Sequence, residues 1–390
     1  MLIKNGRLLT MAGSVYEKGY IILEEGKIRE VGSIEGMPHY TGEILDAEGL
    51  TILPGLVDAH THMGLFEDSL GFEGEDGNED TDPTTPQLRV IDAINPLERS
   101  FAEAVDAGVT TVVVSPGSAN PVGGQIAAVK TWGRRIDDMI LCEPLAVKFA
   151  LGENPKYTYH EKEQAPVTRM ATAAIIRELL KKAQEYQKNK ARAKEEEDFD
   201  EPEYDAKLES LLPLLEKKIP AHFHAHRADD MFTAIRIAKE FDLDYVILHG
   251  TEAHLVADIL AQEHTRIVIG PSMTDRSKPE LKNLDIGAAA VLREAGISFS
   301  ICTDHPETPV KYLMDCAGLA VRGGLDEMAA LEAITIGSAQ LAGIAQRVGS
   351  IEPGKDGDLV CYTGNPLDYR TRVQAVLIDG KIVRGELKNA

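Results

Sequence analysis

Between residues 53 and 304 the chain alternates short apolar runs with amphipathic stretches, and this rhythm narrows the possible folds more than any other feature. The runs are LPGLVDAHTHMG (53–64), GVTTVVVSP (108–116), MILCEPLAVKFALG (139–152), IPAHFHAH (219–226), YVILHG (245–250), RIVIGP (266–271) and SFSICTD (298–304). A weaker run, QIAAVK (125–130), supplies a third strand. Helical patterns such as ADDMFTAIRIAKEFDL and NLDIGAAAVLREAGI separate them. Strand and helix in alternation imply a parallel sheet, and about eight repeats close such a sheet into a barrel. By length alone 390 residues would make two or three domains, but barrels run long as single units.

The chain ends read differently. YIILEEGKIREVG (20–32) predicts a hairpin bending at Glu-Gly, and AVLIDGKIV (375–383) predicts another bending at Asp-Gly, after the strand DLVCYTG. Neither end carries enough apolar residues to stand alone. A small composite β-sandwich built from residues 1–53 and 350–390 is therefore expected, with a barrel domain over 54–349 inserted into it. Two segments interrupt the barrel rhythm. Residues 67–86 are acidic and patternless, and read either as a lid or partner-contacting loop at the catalytic face or as a solvated loop. Residues 165–218 predict a helix with Ile175, Ile176, Leu179, Leu180 and Ala183 on one face, followed by a solvated turn at KNKARAKEEEDFDEPEYD.

A formal charge of −22 repels nucleic acid and anionic membranes, so neither is expected as a partner. The four cysteines show no CxxC spacing and read as reduced core thiols. The N-terminal MLIKNGRLLTMAG lacks a signal-peptide pattern, and no window approaches the ~18 apolar residues of a membrane span. A cytoplasmic homo-oligomer is expected.

The chemistry is written at the strand ends. Strand side chains alternate faces, so Asp58, His60 and His62 point the same way. Later strands end in Lys148, in His224 and His226, in His249 and in Asp304. Each has an ordinary alternative: a rim histidine, a lysine reaching outward, an aspartate capping a helix. Their joint placement at strand ends, where barrel enzymes keep reactive groups, favours a metal site. Imidazoles and carboxylates bind Zn²⁺ or similar ions at ~2.0–2.2 Å and leave a position for water, whose pKa falls to ~7. Asp304 then serves as metal ligand and as shuttle from the metal-activated hydroxide to a leaving amine. Burial disfavours the Lys148 ammonium, and the neutral amine can take up CO₂ to give a carbamate able to bridge two metals.

PGLVDAHTH, GVTTVVVSPG, AVKFALG, HAH, VILHG, TDHP and the closing VGSIEPGKDGDLV with VLIDGKIV together resemble the amidohydrolase superfamily, in its imidazolonepropionase-like and Xaa-Pro dipeptidase-like branch. The resemblance covers nearly the whole chain in order. It implies a distorted TIM (β/α)8 barrel with a composite β-sandwich, and hydrolysis of a C–N bond at one or two divalent metals (Zn, with Fe or Mn as alternatives). Carried over by position, it implies His60, His62, Lys148, His224, His249 and Asp304 as ligands. His222 and His226 remain rivals for His224, and Lys130 for Lys148. Without a carbamylated lysine the centre is mononuclear, with His60, His62, His224 and Asp304. His226, Arg227 and Arg276 are candidate substrate contacts, the arginines because a guanidinium suits a substrate carboxylate. The expected substrate is a small amide, cyclic amide or dipeptide. A mononuclear deaminase is the alternative, although HAHRADD lacks the His-x-x-Glu such enzymes usually carry.

Overall fold

The computed structural model describes residues 1–68 and 70–390; position 69 of the acidic 67–86 segment lies outside the described residues. Eight strands form one sheet that curls into a nearly closed barrel: β1 (Leu56–Thr61), β2 (Val109–Val114), β3 (Val122–Lys130), β4 (Ile140–Ala150), β5 (Ala221–Ala225), β6 (Tyr245–His249), β7 (Arg266–Ile269) and β8 (Ser298–Ile301). β1, β2, β5 and β6 are buried along almost their whole length, the signature of strands covered on both faces.

The barrel departs from the all-parallel expectation at one element. β3 runs antiparallel to both neighbours, pairing Thr111 with Lys130 on one side and Val122 with Phe149 on the other. It follows β2 with no helix between, so the chain turns straight back. The remaining pairs are parallel. The seam between β8 and β1 is tied by the Asp304 N–H, which donates to the His60 carbonyl at 3.2 Å.

A second sheet takes strands from both chain ends, in the order Lys381–Gly385, Val373–Ile378, Leu359–Tyr362, Thr51–Pro54, Leu2–Leu9, Val15–Glu24, Lys27–Ser33. Ile44–Asp46 and Lys388–Asn389 extend it beside Leu2–Leu9. Leu359–Tyr362 pairs antiparallel with Thr51–Pro54, so C-terminal chain is stitched directly to N-terminal chain. Both foreseen hairpins form. Their bends, Glu25-Gly26 and Asp379-Gly380, have positive φ at both residues, which matches the twist of a tight hairpin. The two bends meet around Gly357, whose N–H donates to Gly26 O at 2.8 Å while the Gly380 N–H donates to Gly357 O at 3.0 Å. A Cβ on Gly357 would stand 2.9 Å from the Gly380 nitrogen, so only glycine fits there.

The helix in the 165–218 segment spans Arg169–Glu195 and buries Ile176, Leu179, Leu180 and Ala183. It runs on through KNKARAKE, part of the stretch expected as a turn, because no Gly or Pro interrupts it. Among the described residues, no helix is long and apolar enough to cross a membrane.

Candidate metal centre

Six polar residues converge at the mouth of the barrel in two groups of three. His60, His62 and Asp304 form one, and His224, His226 and His249 the other, each with its ligand-type atoms within 4.8 Å of one another. The first group comes from β1 and from the turn after β8. His60 Nε2 and His62 Nε2 lie 3.4 and 3.3 Å from Asp304 Oδ1. The second comes from β5 and β6, with ring centroids 4.5–4.7 Å apart. The groups adjoin, since His60 and His249 are 5.2 Å apart between ring centroids.

The backbone aims these side chains. His249 (φ 73°) and Asp304 (φ 55°) sit in the left-handed region, uncommon for residues with a Cβ and frequent at functional sites. Beneath them Asp58 is buried and accepts from the Thr303 N–H (3.2 Å) and hydroxyl (2.6 Å), binding β1 to the end of β8. Burial pushes the Asp58 carboxyl up to about 7 despite those hydrogen bonds.

Each imidazole of the second group has its Nδ1 engaged: His224 with the Ser118 hydroxyl (3.0 Å), His226 with the Thr251 hydroxyl (2.8 Å), and His249 with the Gly270 carbonyl (2.8 Å). His62 Nδ1 likewise meets the Ser115 carbonyl at 2.7 Å. A ring that donates through Nδ1 turns the Nε2 lone pair toward the cavity, the arrangement common in metal-ligating histidines. Burial holds His60, His224 and His226 well below the usual histidine range and His249 at about 4, so they stay neutral. Asp304 stays ionised: burial opposes its charge, but His249, His60 and His62 hold its carboxyl well below the usual range.

Lys148 is wholly buried on β4, opposite His222 of β5, and its Nζ has no hydrogen-bond partner. Burial lowers its ammonium to about 7, with partial relief from Asp304. Both His60 nitrogens and Asp304 Oδ1 are also buried without partners, as are both nitrogens of His222, one layer deeper on β5. Buried polar atoms ordinarily find a hydrogen-bond partner. Lone-pair donors gathered without protons to share fit a divalent cation, so the residues present suit the metal that the sequence implies.

Of the sequence candidates, Lys130 stands elsewhere. Because β3 is reversed, Lys130 lies at the far end of the barrel, with Nζ 2.8 Å from Asp356 and 2.5 Å from Asp358. Arg227 pairs with Asp229 and lines a separate outer cavity of 500 Å³. Arg276 donates to the Leu284 carbonyl and does not line the metal cavity. That cavity measures 360 Å³ and is walled by Phe66, Asn78, Ser118, Asn154, Lys278 and Glu307 around the histidines. The acidic 67–86 segment contributes Asn78, pinned where its side-chain oxygen accepts from the Ala119 N–H at 3.1 Å. Sequence reasoning missed Ser118, Asn154, Lys278 and the buried Glu280. Ser118 and Lys278 lie in loops, Asn154 in the first turn of the helix Glu153–Glu161 and Glu280 in a single 3-10 turn, and none of these places carries a periodic signal.

Comparison with known proteins agrees with this fold. The Amidohydrolase family profile matches residues 51–383. An amidohydrolase from Thermotoga maritima MSB8, known from a crystal structure, is 41% identical, covers 99% of this chain and 100% of its own, and superposes with a TM-score of 0.95. The curated amidohydrolase tasK of Hapsidospora irregularis is 27% identical over 93% of this chain, which spans only 39% of tasK's length. A crystal structure of a Xaa-Pro dipeptidase with methionine bound in its active site shares the fold (18% identity, TM-score 0.58, 98% of this chain and 99% of that one). The chain belongs to the amidohydrolase family and is a hydrolase acting on carbon–nitrogen bonds.

Proposed function

We propose that the protein hydrolyses the C–N bond of a small amide, cyclic amide or dipeptide at a divalent metal centre, with Asp304 as the proton shuttle. The observation that carries this reading is the convergence of neutral, lone-pair-presenting imidazoles on an ionised buried carboxylate. His60, His62 and Asp304 would hold one cation, and His224 and His249 a second, with a carbamate on Lys148 as bridge. Zinc suits a set of imidazoles and carboxylates. A cation bound there supplies Lewis-acid polarisation and lowers the pKa of water to ~7.

The chain's own groups do the rest. Asp304 takes a proton from the attacking water and returns it to the nitrogen as the C–N bond breaks, which needs an ionised carboxylate at the start. The buried Asp58, accepting from the Thr303 hydroxyl next to Asp304, ties β1 to the turn that carries the acid and holds it in position. A 360 Å³ cavity limits the substrate to a small molecule. We place the protein in the cytoplasm, which suits its unpaired cysteines, and read it as a homo-oligomer.

The test is a panel of amides, lactams and dipeptides assayed before and after chelation, with zinc added back. Hydrolysis that appears with zinc and disappears with chelator is expected. Turnover that survives complete metal removal would sink the reading.

A further inference from the structure

We infer that His226 and Glu280 are ligands of the second cation, alongside His224 and His249. This rests on the metal-centre reading above and extends it to two residues that reading leaves out.

Glu280 lies in the 3-10 turn Pro279–Leu281 after β7 and is almost completely buried. Its Oε1 stands 3.7 Å from His226 Nε2 and 4.0 Å from His224 Nε2, and is buried with no well-aligned hydrogen bond, its close polar neighbour besides the imidazoles being the Lys278 ammonium. Ligand atoms around one tetrahedral zinc with bonds of ~2.0–2.1 Å stand about 3.3 Å apart. Shifts well under an ångström would therefore bring this oxygen and both imidazoles onto one ion.

The carboxylate is held for that purpose from its other side. Oε2 accepts from the Glu153 N–H at 3.1 Å, and the chain passes it at Gly152 with φ 85°. A Cβ at Gly152 would come within 2.9 Å of Oε2, so the loop after β4 is shaped around Glu280. Among the described residues, the cation paired with Oε1 is the Lys278 ammonium, 3.0 Å away on a partly exposed side chain that also donates to Asn154. A cation bound at Oε1 would have to displace this ammonium, whose side chain reaches partly into solvent.

His226 meets the same criteria as its accepted neighbours. It is buried, its Nδ1 is tied to Thr251, and its ring stacks on His249 at 4.7 Å with a 15° tilt. A histidine that only touched substrate would have no need to share its Nε2 environment with two other imidazoles and a buried carboxylate.

The experiment is zinc titration of metal-stripped full-length protein, read by metal analysis after desalting. Co²⁺ substitution adds a visible spectrum that reports nitrogen and oxygen ligation independently of activity. Wild type should retain two ions. Glu280→Gln and His226→Asn should each weaken the second by at least the ~10–100-fold seen for lesser perturbations of metal sites, and change the Co²⁺ spectrum of that ion only. Circular dichroism and melting temperature confirm that both variants fold; Glu280→Asp, which keeps the charge, serves if Gln does not fold. Two tightly held ions with unchanged Co²⁺ spectra in the variants would overturn this assignment while leaving the metal-centre reading intact. One ion in wild type would overturn this assignment and leave a mononuclear centre, whereas no retained ion at all would overturn both.

Discussion

Asp304 combines a strained backbone, a buried carboxylate and three imidazole neighbours in one residue. Asp304→Asn keeps the shape and removes the base, so turnover should fall roughly 10²–10⁴-fold while the melting temperature stays near wild type. Steady-state kinetics beside a thermal melt checks this, and near-normal turnover would take Asp304 out of the mechanism. Lys148 offers a pH-dependent test. Its ammonium is lowered to about 7, so the reactive amine dominates above that pH and is lost below it. Carbamate formation joins neutral amine to CO₂ and releases a proton, which also favours the higher pH. A ¹³C carbamate signal from labelled bicarbonate should therefore be strong at pH 8.5 and fade below about pH 7, and Lys148→Ala should lack it. A spectrum without that signal at any pH would remove the bridge. Residues of this kind were legible because a polar group ending an apolar strand stands out against its surroundings. Glu280 was not, since SKPELKN offers neither period nor apolar contrast, and only the folded chain brings it to the histidines.

Element direction was the harder inference. QIAAVK is readable as strand, but alternation says nothing about which way a strand runs, and only the absence of a helix after β2 hinted at the reversal of β3. That reversal decides the fate of Lys130, which moves from candidate ligand to the bottom of the barrel. There it faces Asp356, Asp358 and Asp379, with Arg347 and Lys27 also on Asp356. Burial disfavours its charge, but these carboxylates more than compensate and raise its pKa. Lys130→Met would strand buried carboxylates without their counter-charge, a change that costs about 3–5 kcal/mol. Chemical denaturation should show a loss of that order. A variant as stable as wild type would mean that Lys27 and Arg347 suffice.

At the scale of the whole molecule, both ends of the chain share one sheet, and residues 1–53 with 350–390 are proposed as one domain around an inserted barrel. The apolar faces of Leu359, Cys361, Ala375 and Leu377 pack with Ile3, Leu8, Ile21 and Ile52 in a single buried cluster. Thr51–Pro54 sits between Leu359–Tyr362 and Leu2–Leu9, so it loses one of its two neighbours if the C-terminal strands are removed. Deleting residues 351–390 would then expose both an apolar face and an unpaired strand edge, the combination that drives aggregation. It would also remove Asp356, Asp358 and Asp379 and leave Lys130 buried without a partner at the barrel floor. The truncated chain should collect in the insoluble fraction, and supplying residues 351–390 as a separate peptide during refolding should recover some soluble protein. A truncated chain that stays soluble and melts cooperatively would show that the N-terminal strands form a unit of their own and that the two-ended domain is wrong.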